Sequence, residues 1–148
     1  MKVIRNPKVV QTLKELAQEN DGILMPESVV DAARPVKSPL HRYFEWDSSK
    51  AAEAYRIDQA RLLMRVAVEV VEVNGKKRDV RVMVSLKGDQ REEGGYRIMS
   101  VVMSEKDLRA QLIADALEDM ELFKSRYREI RELATVFAAI EAAAAKLR

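Results

Sequence analysis

The chain has 148 residues, of which 47% are apolar and 34% are charged, and its formal net charge is +2. This length fits one compact domain, or a small domain with an extended helix, and it excludes a large multidomain enzyme. Because acids and bases nearly balance, a surface that attracts a charged partner must be local. No apolar run is long enough to span a membrane, and the first residues lack the apolar region of a secretory signal. We therefore expect a cytoplasmic protein without a membrane partner.

Few residues in the chain can carry catalysis or bind a metal. There is no cysteine, and His41 is the single histidine, which excludes disulfides, thiolate metal sites and multi-histidine ligand sets. No nucleophile or carboxylate at an interpretable spacing accompanies His41 as a general base. The acidic residues Glu118, Asp119 and Glu121 do not converge on one face of a helix. The sequence predicts no catalytic residue, no metal, no cofactor and no enzymatic activity.

Four helices are predicted in residues 1–65, each with a start signal. A serine or asparagine cap satisfies free N–H groups of the first turn, and proline is favoured at the first helical position. The caps and first-turn prolines are Asn6 with Pro7, Pro26, Ser38 with Pro39, and Ser48 or Ser49. The first helix is expected to end at the Gly22 turn, the second before Pro35, and the fourth near Arg65. The third is expected to be about two turns long.

Residues 66–103 change to an alternating pattern that predicts a three-stranded antiparallel meander. The predicted strands lie in residues 66–74, 78–86 and 95–103, and the polar stretch before the last one is predicted as a loop. The Asn-Gly pair at 74–75 is typical of a two-residue hairpin turn, which would place Val68 opposite Arg81. A longer or bulged turn would instead pair Val68 with Val82 and leave one apolar face. We expect the longer turn.

Residues 104–148 contain no glycine or proline and predict one long C-terminal helix. Eight apolar residues follow the alternating spacing of three and four that is typical of a coiled coil. They are Ile113, Ala116, Met120, Phe123, Tyr127, Ile130, Ala134 and Phe137. A helix of this length would extend roughly 65 Å, more than a small domain can cover. We therefore predict that part of this stripe joins copies of the chain in a homo-oligomer, and that the rest packs on its own domain.

The segment VVDAARPVKSPLHRYFEWDSSKAAE, residues 29–53, carries the most specific motif of the chain. Asp-Ala-Ala is followed after six residues by Leu-x-x-Tyr-Phe and then by a Ser-Lys pair at 49–50. This pattern resembles the helix-turn-helix of tetracycline-repressor-type regulators, although Arg34 stands where that family prefers a glycine. Nothing after residue 66 resembles the ligand-binding domain of that family. The resemblance implies a helix-turn-helix geometry and DNA binding.

The charge of the same segment agrees with that resemblance. A helix that enters the major groove needs polar and basic residues on its outer side. Residues 34–43 contain three cations and no acid. The predicted DNA contacts are Arg34, Lys37, Ser38, His41 and Arg42, with Lys50 and Arg56 of the next helix at the phosphates.

Together these patterns predict an α+β fold in three parts. Residues 1–65 form a helix-turn-helix-like unit, residues 66–103 a three-stranded antiparallel sheet that could act as a wing, and residues 104–148 an oligomerising helix. The predicted function is double-stranded DNA binding by a homo-oligomer, in transcription regulation or nucleic-acid packaging, a plan similar to that of small phage-encoded and prophage-encoded proteins. The alternative is a structural or adaptor protein whose helical unit binds another protein.

Overall fold

The computed structural model describes residues 2–47, 52–92 and 94–147 and confirms the α+β class. The chain divides into two compact units, residues 1–104 (unit 1) and residues 105–148 (unit 2). The helices of unit 1 are α1 (Pro7–Glu19), α2 (Pro26–Ala33), α3 (Glu53–Val66), α4 (Lys87–Glu92) and α5 (Met99–Ser104).

The first two helices begin and end as predicted. The side-chain oxygen of Asn6 accepts a hydrogen bond from the N–H of Lys8 at 3.0 Å, which is the N-cap expected before Pro7. Helix α2 begins at Pro26 and ends at Ala33, two residues before Pro35. Pro26 favours the first turn of this short helix. Arg34, the residue before Pro35, is still in the right-handed helical region (φ −57°, ψ −44°), so the restriction on pre-proline residues does not explain where α2 ends.

The predicted third helix is wrong in length. In place of two α-helical turns, one 3-10 turn spans His41–Tyr43, and Phe44 is already extended (φ −121°, ψ 151°). The Ser38 hydroxyl accepts the N–H of Leu40 at 3.2 Å, so this serine stabilises a local turn rather than an α-helix. The predicted caps Ser48 and Ser49 lie outside the described residues, and α3 begins at Glu53.

A three-stranded antiparallel sheet is present, but its strands differ from those predicted. Its order is β1-β5-β4, formed by β1 (Ile23–Leu24), β5 (Tyr96–Ile98) and β4 (Met83–Val84). The edge strand β1 comes from the turn between α1 and α2, which sequence periodicity cannot identify because it has two residues. The predicted meander is therefore wrong: residues 99–104 form α5.

The polar stretch predicted as a loop contains helix α4. The Asp89 carboxylate accepts two hydrogen bonds from the Arg97 guanidinium of β5, at 2.6 and 2.9 Å. Both side chains are largely buried, with 13% and 20% exposed. A paired, partly buried carboxylate is strongly held, so this ion pair joins α4 to the sheet.

The two-stranded hairpin of β2 (Val68–Val73) and β3 (Lys76–Arg81) has the register that the sequence analysis rejected. Val68 lies opposite Arg81. Both turn residues have positive φ, 53° for Asn74 and 76° for Gly75, as a two-residue type I′ turn requires. An apolar pattern fixes register only where one face is buried. Here Val70 is 51% exposed, so the turn decides the register and the predicted face assignment is wrong.

The core of unit 1 lies among the three longer helices and the three-stranded sheet. Its buried residues include Val9, Leu13, Ala17, Leu24, Val29, Val30, Ala33, Leu40, Phe44, Ala60, Leu63, Met64, Val82, Met83 and Ile98. Of the hairpin, only Val68 at its base is buried. Most of the β2–β3 hairpin thus stands outside the apolar core.

Two ion pairs and a β-bridge hold the base of the hairpin. The Arg5 guanidinium donates to both carboxylate oxygens of Asp79, at 2.9 and 2.5 Å, and Lys14 lies 2.6 Å from Glu69. Ile4 pairs in parallel with Ala67, next to the start of β2. The hydrogen bonds and charge of Arg5 lower the pKa of Asp79 below its usual 3.8.

Unit 2 contains α6 (Lys106–Tyr127), a 3-10 turn at Arg131–Leu133, and α7 (Ala134–Leu147). A long C-terminal helix is present, but it ends at Tyr127 and is not continuous to the C-terminus. Ile130 is extended (φ −86°, ψ 101°). The Phe123 and Phe137 rings are 6.2 Å apart, so α7 lies beside α6. The predicted continuous stripe is therefore wrong, because Ala134 and Phe137 belong to a second helix.

The Arg5–Asp79 pair predicts an acid-sensitive hairpin base. A carboxylate with a lowered folded-state pKa contributes stability above its unfolded pKa, and this is lost as pH falls through the folded value. In a carbon NMR titration of the Asp79 carboxyl, the midpoint should lie below 3.8 and should rise toward 3.8 in the Arg5→Gln variant. The control Lys8→Gln removes another exposed cation and should leave the midpoint unchanged. An Asp79 midpoint that is the same in the wild type and in Arg5→Gln would contradict the ion pair.

Candidate nucleic-acid interface

The segment that carries the predicted DNA contacts folds around the single tryptophan, Trp46. The His41 ring stacks on the indole with centroids 5.0 Å apart and planes 8° apart, and Phe44 lies at 5.6 Å. The indole N–H donates to the carbonyl of His41 at 2.9 Å. The segment is thus held by an aromatic cluster in addition to its short 3-10 turn.

Two guanidinium groups complete this Trp46 cluster. The terminal carbons of Arg34 and Arg56 lie 5.8 and 5.3 Å from the indole centroid, within cation–π range. The Glu53 carboxylate contacts both, at 2.8 Å from Arg34 and 3.4 Å from Arg56. The hydrogen bonds that Arg34 donates to Glu53 and, to a smaller extent, to Asp31 raise the pKa of Arg34. These two arginines are therefore committed to contacts within unit 1.

The histidine also has a structural role. Its Nδ1 lies 2.9 Å from the carbonyl oxygen of Ala33, the last residue of α2. Because a carbonyl only accepts, we assign the Nδ1 proton to this bond, which leaves Nε2 as an acceptor in the neutral ring. His41 therefore joins the end of α2 to the Trp46 cluster.

The predicted contact residues divide into two groups. Arg34, Ser38, His41 and Arg56 all bind within unit 1, and Arg56 is only 12% exposed. Lys37 and Arg42 are exposed and make no ion pair among the described residues, although Arg42 lies over the Tyr43 ring at 5.5 Å. Lys50 lies outside the described residues. The polar groups of Arg34, Ser38, His41 and Arg56 are thus used within unit 1, and these residues do not form a basic surface.

A second basic cluster, which the sequence analysis missed, lies at the tip of the β2–β3 hairpin. Lys76, Lys77 and Arg78 directly follow the turn, and all three are exposed. Within the described parts of the chain none of them contacts a carboxylate, although Glu72 is the ladder partner of Lys77. The signal was the Lys-Lys-Arg run after Asn-Gly. An exposed strand carries such a run where a buried strand cannot.

The remaining features restrict the chemistry of the described residues. No group of three or more His, Cys, Asp or Glu side chains among them is arranged to hold a metal ion. None of the helices in the described ranges is both long enough and apolar enough to cross a bilayer. Comparison with protein-family models, with curated proteins and with solved structures finds no match to the chain.

The Trp46 cluster predicts that substituting Arg56 lowers the free energy of unfolding much more than substituting Arg42. Arg56→Gln removes a hydrogen bond to the Glu45 carbonyl and a cation–π contact, so the free energy of unfolding should fall by about 1–3 kcal/mol. Arg42→Gln removes only an exposed cation–π contact with Tyr43 and should lower it by about 0.5 kcal/mol. Urea unfolding followed by Trp46 fluorescence measures both. Equal stabilities of the two variants would show that the cluster does not hold this segment.

Proposed function

We propose that the protein binds double-stranded DNA as a homo-oligomer, and that unit 1 contacts the phosphate backbone. The observation that carries this proposal is the tip of the hairpin, where Lys76, Lys77 and Arg78 are exposed and lack carboxylate partners among the described residues. Cations of this kind bind a phosphate backbone favourably, because their binding releases the counterions condensed on the nucleic acid.

The geometry of the hairpin suits backbone contact. Alternation along β3 places Lys76 and Arg78 on one face of the ribbon and Lys77 on the other. A two-stranded ribbon is narrow enough to enter the major groove, so cations on both faces could reach phosphates on either side. Two ion pairs at its base join the ribbon to the N-terminal part of unit 1: Arg5 with Asp79, and Lys14 of α1 with Glu69.

Lys37 and Arg42 supply a second point of contact. Both are exposed and come from the segment that resembles a helix-turn-helix. One 3-10 turn is too short to present the row of side chains that reads base edges from the major groove. We therefore propose that these residues contact phosphates and that binding depends little on sequence, which favours a packaging role over recognition of one operator.

Salt dependence tests the DNA proposal. For the full chain and a random-sequence duplex, log K should fall linearly with log salt concentration. Changing Lys76, Lys77 and Arg78 to Gln should reduce the slope by up to about 2.7, because each phosphate contact contributes roughly 0.9. The control Lys106→Gln/Arg109→Gln/Lys146→Gln removes the same charge from exposed sites of unit 2 and should keep most of the slope. Equal slopes for the two triple variants would show that the hairpin tip does not contact phosphates, and a wild type that does not bind the duplex would favour the adaptor hypothesis.

The case for self-association lies in unit 2. Helix α6 has 22 residues, none of which is buried. Large apolar side chains of this unit remain exposed: Leu122, Phe123, Tyr127, Ile130, Val136 and Leu147. Phe123 contacts Tyr127 and Phe137, but these rings leave most of α6 without apolar cover. Leu122, Phe123 and Tyr127 line one shallow concavity of this unit, and exposed apolar surface of this kind usually marks an interface.

The charge distribution favours a second copy in antiparallel orientation as the cover. Residues 105–121 contain six acids and two bases, whereas residues 122–131 contain four bases and one acid. Of these bases, Lys124 and Arg126 lie within α6. In an antiparallel pair centred at Leu122 they lie opposite the acids at 118, 119 and 121 of the other α6. This is the self-complementary arrangement of a two-fold interface, and two helical hairpins could pair as a four-helix bundle.

Light scattering on the full chain tests the self-association. The wild type should have a mass above the 16.9 kDa of one chain at tens of micromolar. Leu122→Asp should shift it toward the monomer because a carboxylate would be buried without a partner, and Leu122 is 58% exposed, so α6 should still form. The control Val36→Asp changes a side chain of unit 1 that is 81% exposed and should have no effect. A monomeric wild type would refute the oligomer.

A further inference from the structure

Unit 1 contains a groove that the DNA proposal does not use as a binding pocket. It lies between residues 2–6, the 3-10 turn and α3, and its volume is about 660 Å³. Sites for small molecules are commonly 300–1,000 Å³ and mostly apolar, with a few polar groups that orient the ligand. The groove fits this description in both size and lining.

The walls of the groove are mainly apolar. Val3, Ile4, Tyr43, Leu62, Leu63 and Val66 line it. Leu62 is 40% exposed and Tyr55, at the same groove, 52%. Side chains of this size exposed along a concave surface lose unfavourable contact with water when an apolar ligand covers them. The walls therefore favour a ligand with an apolar body.

The charged groups of the groove favour an anion. Its one acid, Asp58, is held by Arg61 at 3.0 Å, and Arg5 is held by Asp79. Lys2 and Arg42 also line the groove, and neither makes an ion pair among the described residues. The excess charge available to a ligand is thus positive. A carboxylate would gain charge-assisted hydrogen bonds from Lys2 and Arg42, whereas the acid that an ammonium group would meet, Asp58, already pairs with Arg61.

One neutral donor completes the set. The Gln59 side-chain oxygen accepts the N–H of Glu45 at 3.1 Å, so the amide group is oriented. Its NH₂ group has no partner among the described residues and can donate to a ligand. The groove therefore combines apolar walls with hydrogen-bond donors, and the carboxylate that lines it already has a cationic partner.

We propose that this groove binds a small amphiphilic carboxylate, with its apolar chain against Leu62 and Tyr55 and its carboxylate at Arg42 and Lys2. The proposal does not depend on DNA binding. It assigns to Arg42 a role at the groove rim in addition to any contact with phosphate.

Calorimetric titration of the full chain with decanoate, below the concentration at which it forms micelles, tests the proposal. Saturable binding with one site per chain is expected, with a negative heat-capacity change because apolar surface is buried. Decanol has the same chain without the charge, so it cannot form the charge-assisted hydrogen bonds that a carboxylate receives. We expect decanol to bind about tenfold more weakly, which corresponds to about 1.4 kcal/mol. Equal affinity for decanoate and decanol would overturn the assignment of the charged rim.

Three variants separate the groove from general detergent binding. Leu62→Asp places a carboxylate on the wall and should abolish decanoate binding, while Val36→Asp makes the same change outside the groove and should leave it intact. Arg42→Gln changes only an exposed side chain and should weaken binding several-fold, so it tests the groove even if Leu62→Asp fails to fold. Binding that is absent in the wild type, or insensitive to Arg42→Gln and Leu62→Asp, would overturn the proposal.

Discussion

The apolar core of unit 1 is the constraint on which the rest of this structure depends. Three helices and three short strands share one set of buried residues, centred on side chains such as Leu13, Val29 and Met64. Segments that contribute to this core have a fixed conformation, and segments outside it are available for other contacts. The β2–β3 hairpin and helix α6 are the two long elements that bury almost nothing, and they carry the basic tip and the exposed apolar stripe.

The same constraint explains which cations are available in the segment 34–47. The Trp46 ring stacks on His41 and contacts the guanidinium groups of Arg34 and Arg56. Its N–H donates to the His41 carbonyl. The Glu53 carboxylate then pairs with both guanidinium groups, and Asp31 also pairs with Arg34. Net positive charge in a sequence segment therefore overstates its basic surface, because an acid from a different helix can be its partner.

Features governed by local chemistry could be predicted from the sequence, and features governed by the core could not. The starts of α1 and α2 follow from Pro7 and Pro26, whose preference for a first turn acts within a few residues. The hairpin register was missed because the alternating valines suggested a buried face that the core does not provide, and the Asn74-Gly75 turn decided instead. Strand β1 was missed because its two residues become a strand only beside β5. The tip cations were visible in the sequence, but Lys76 and Lys77 lay in the predicted turn and Arg78 at the start of a predicted strand, outside the motif.

Hydrogen exchange of the full chain at a low and a high protein concentration tests most directly the claim that unit 1 has its core within one chain whereas a second copy covers α6. Amides of α1 and α3 should be equally protected at both concentrations, because their core lies within one chain. Amides of α6 should become more protected as the concentration rises, because a second copy covers this helix. Protection of α6 that equals that of α3 at the lowest concentration would contradict the account.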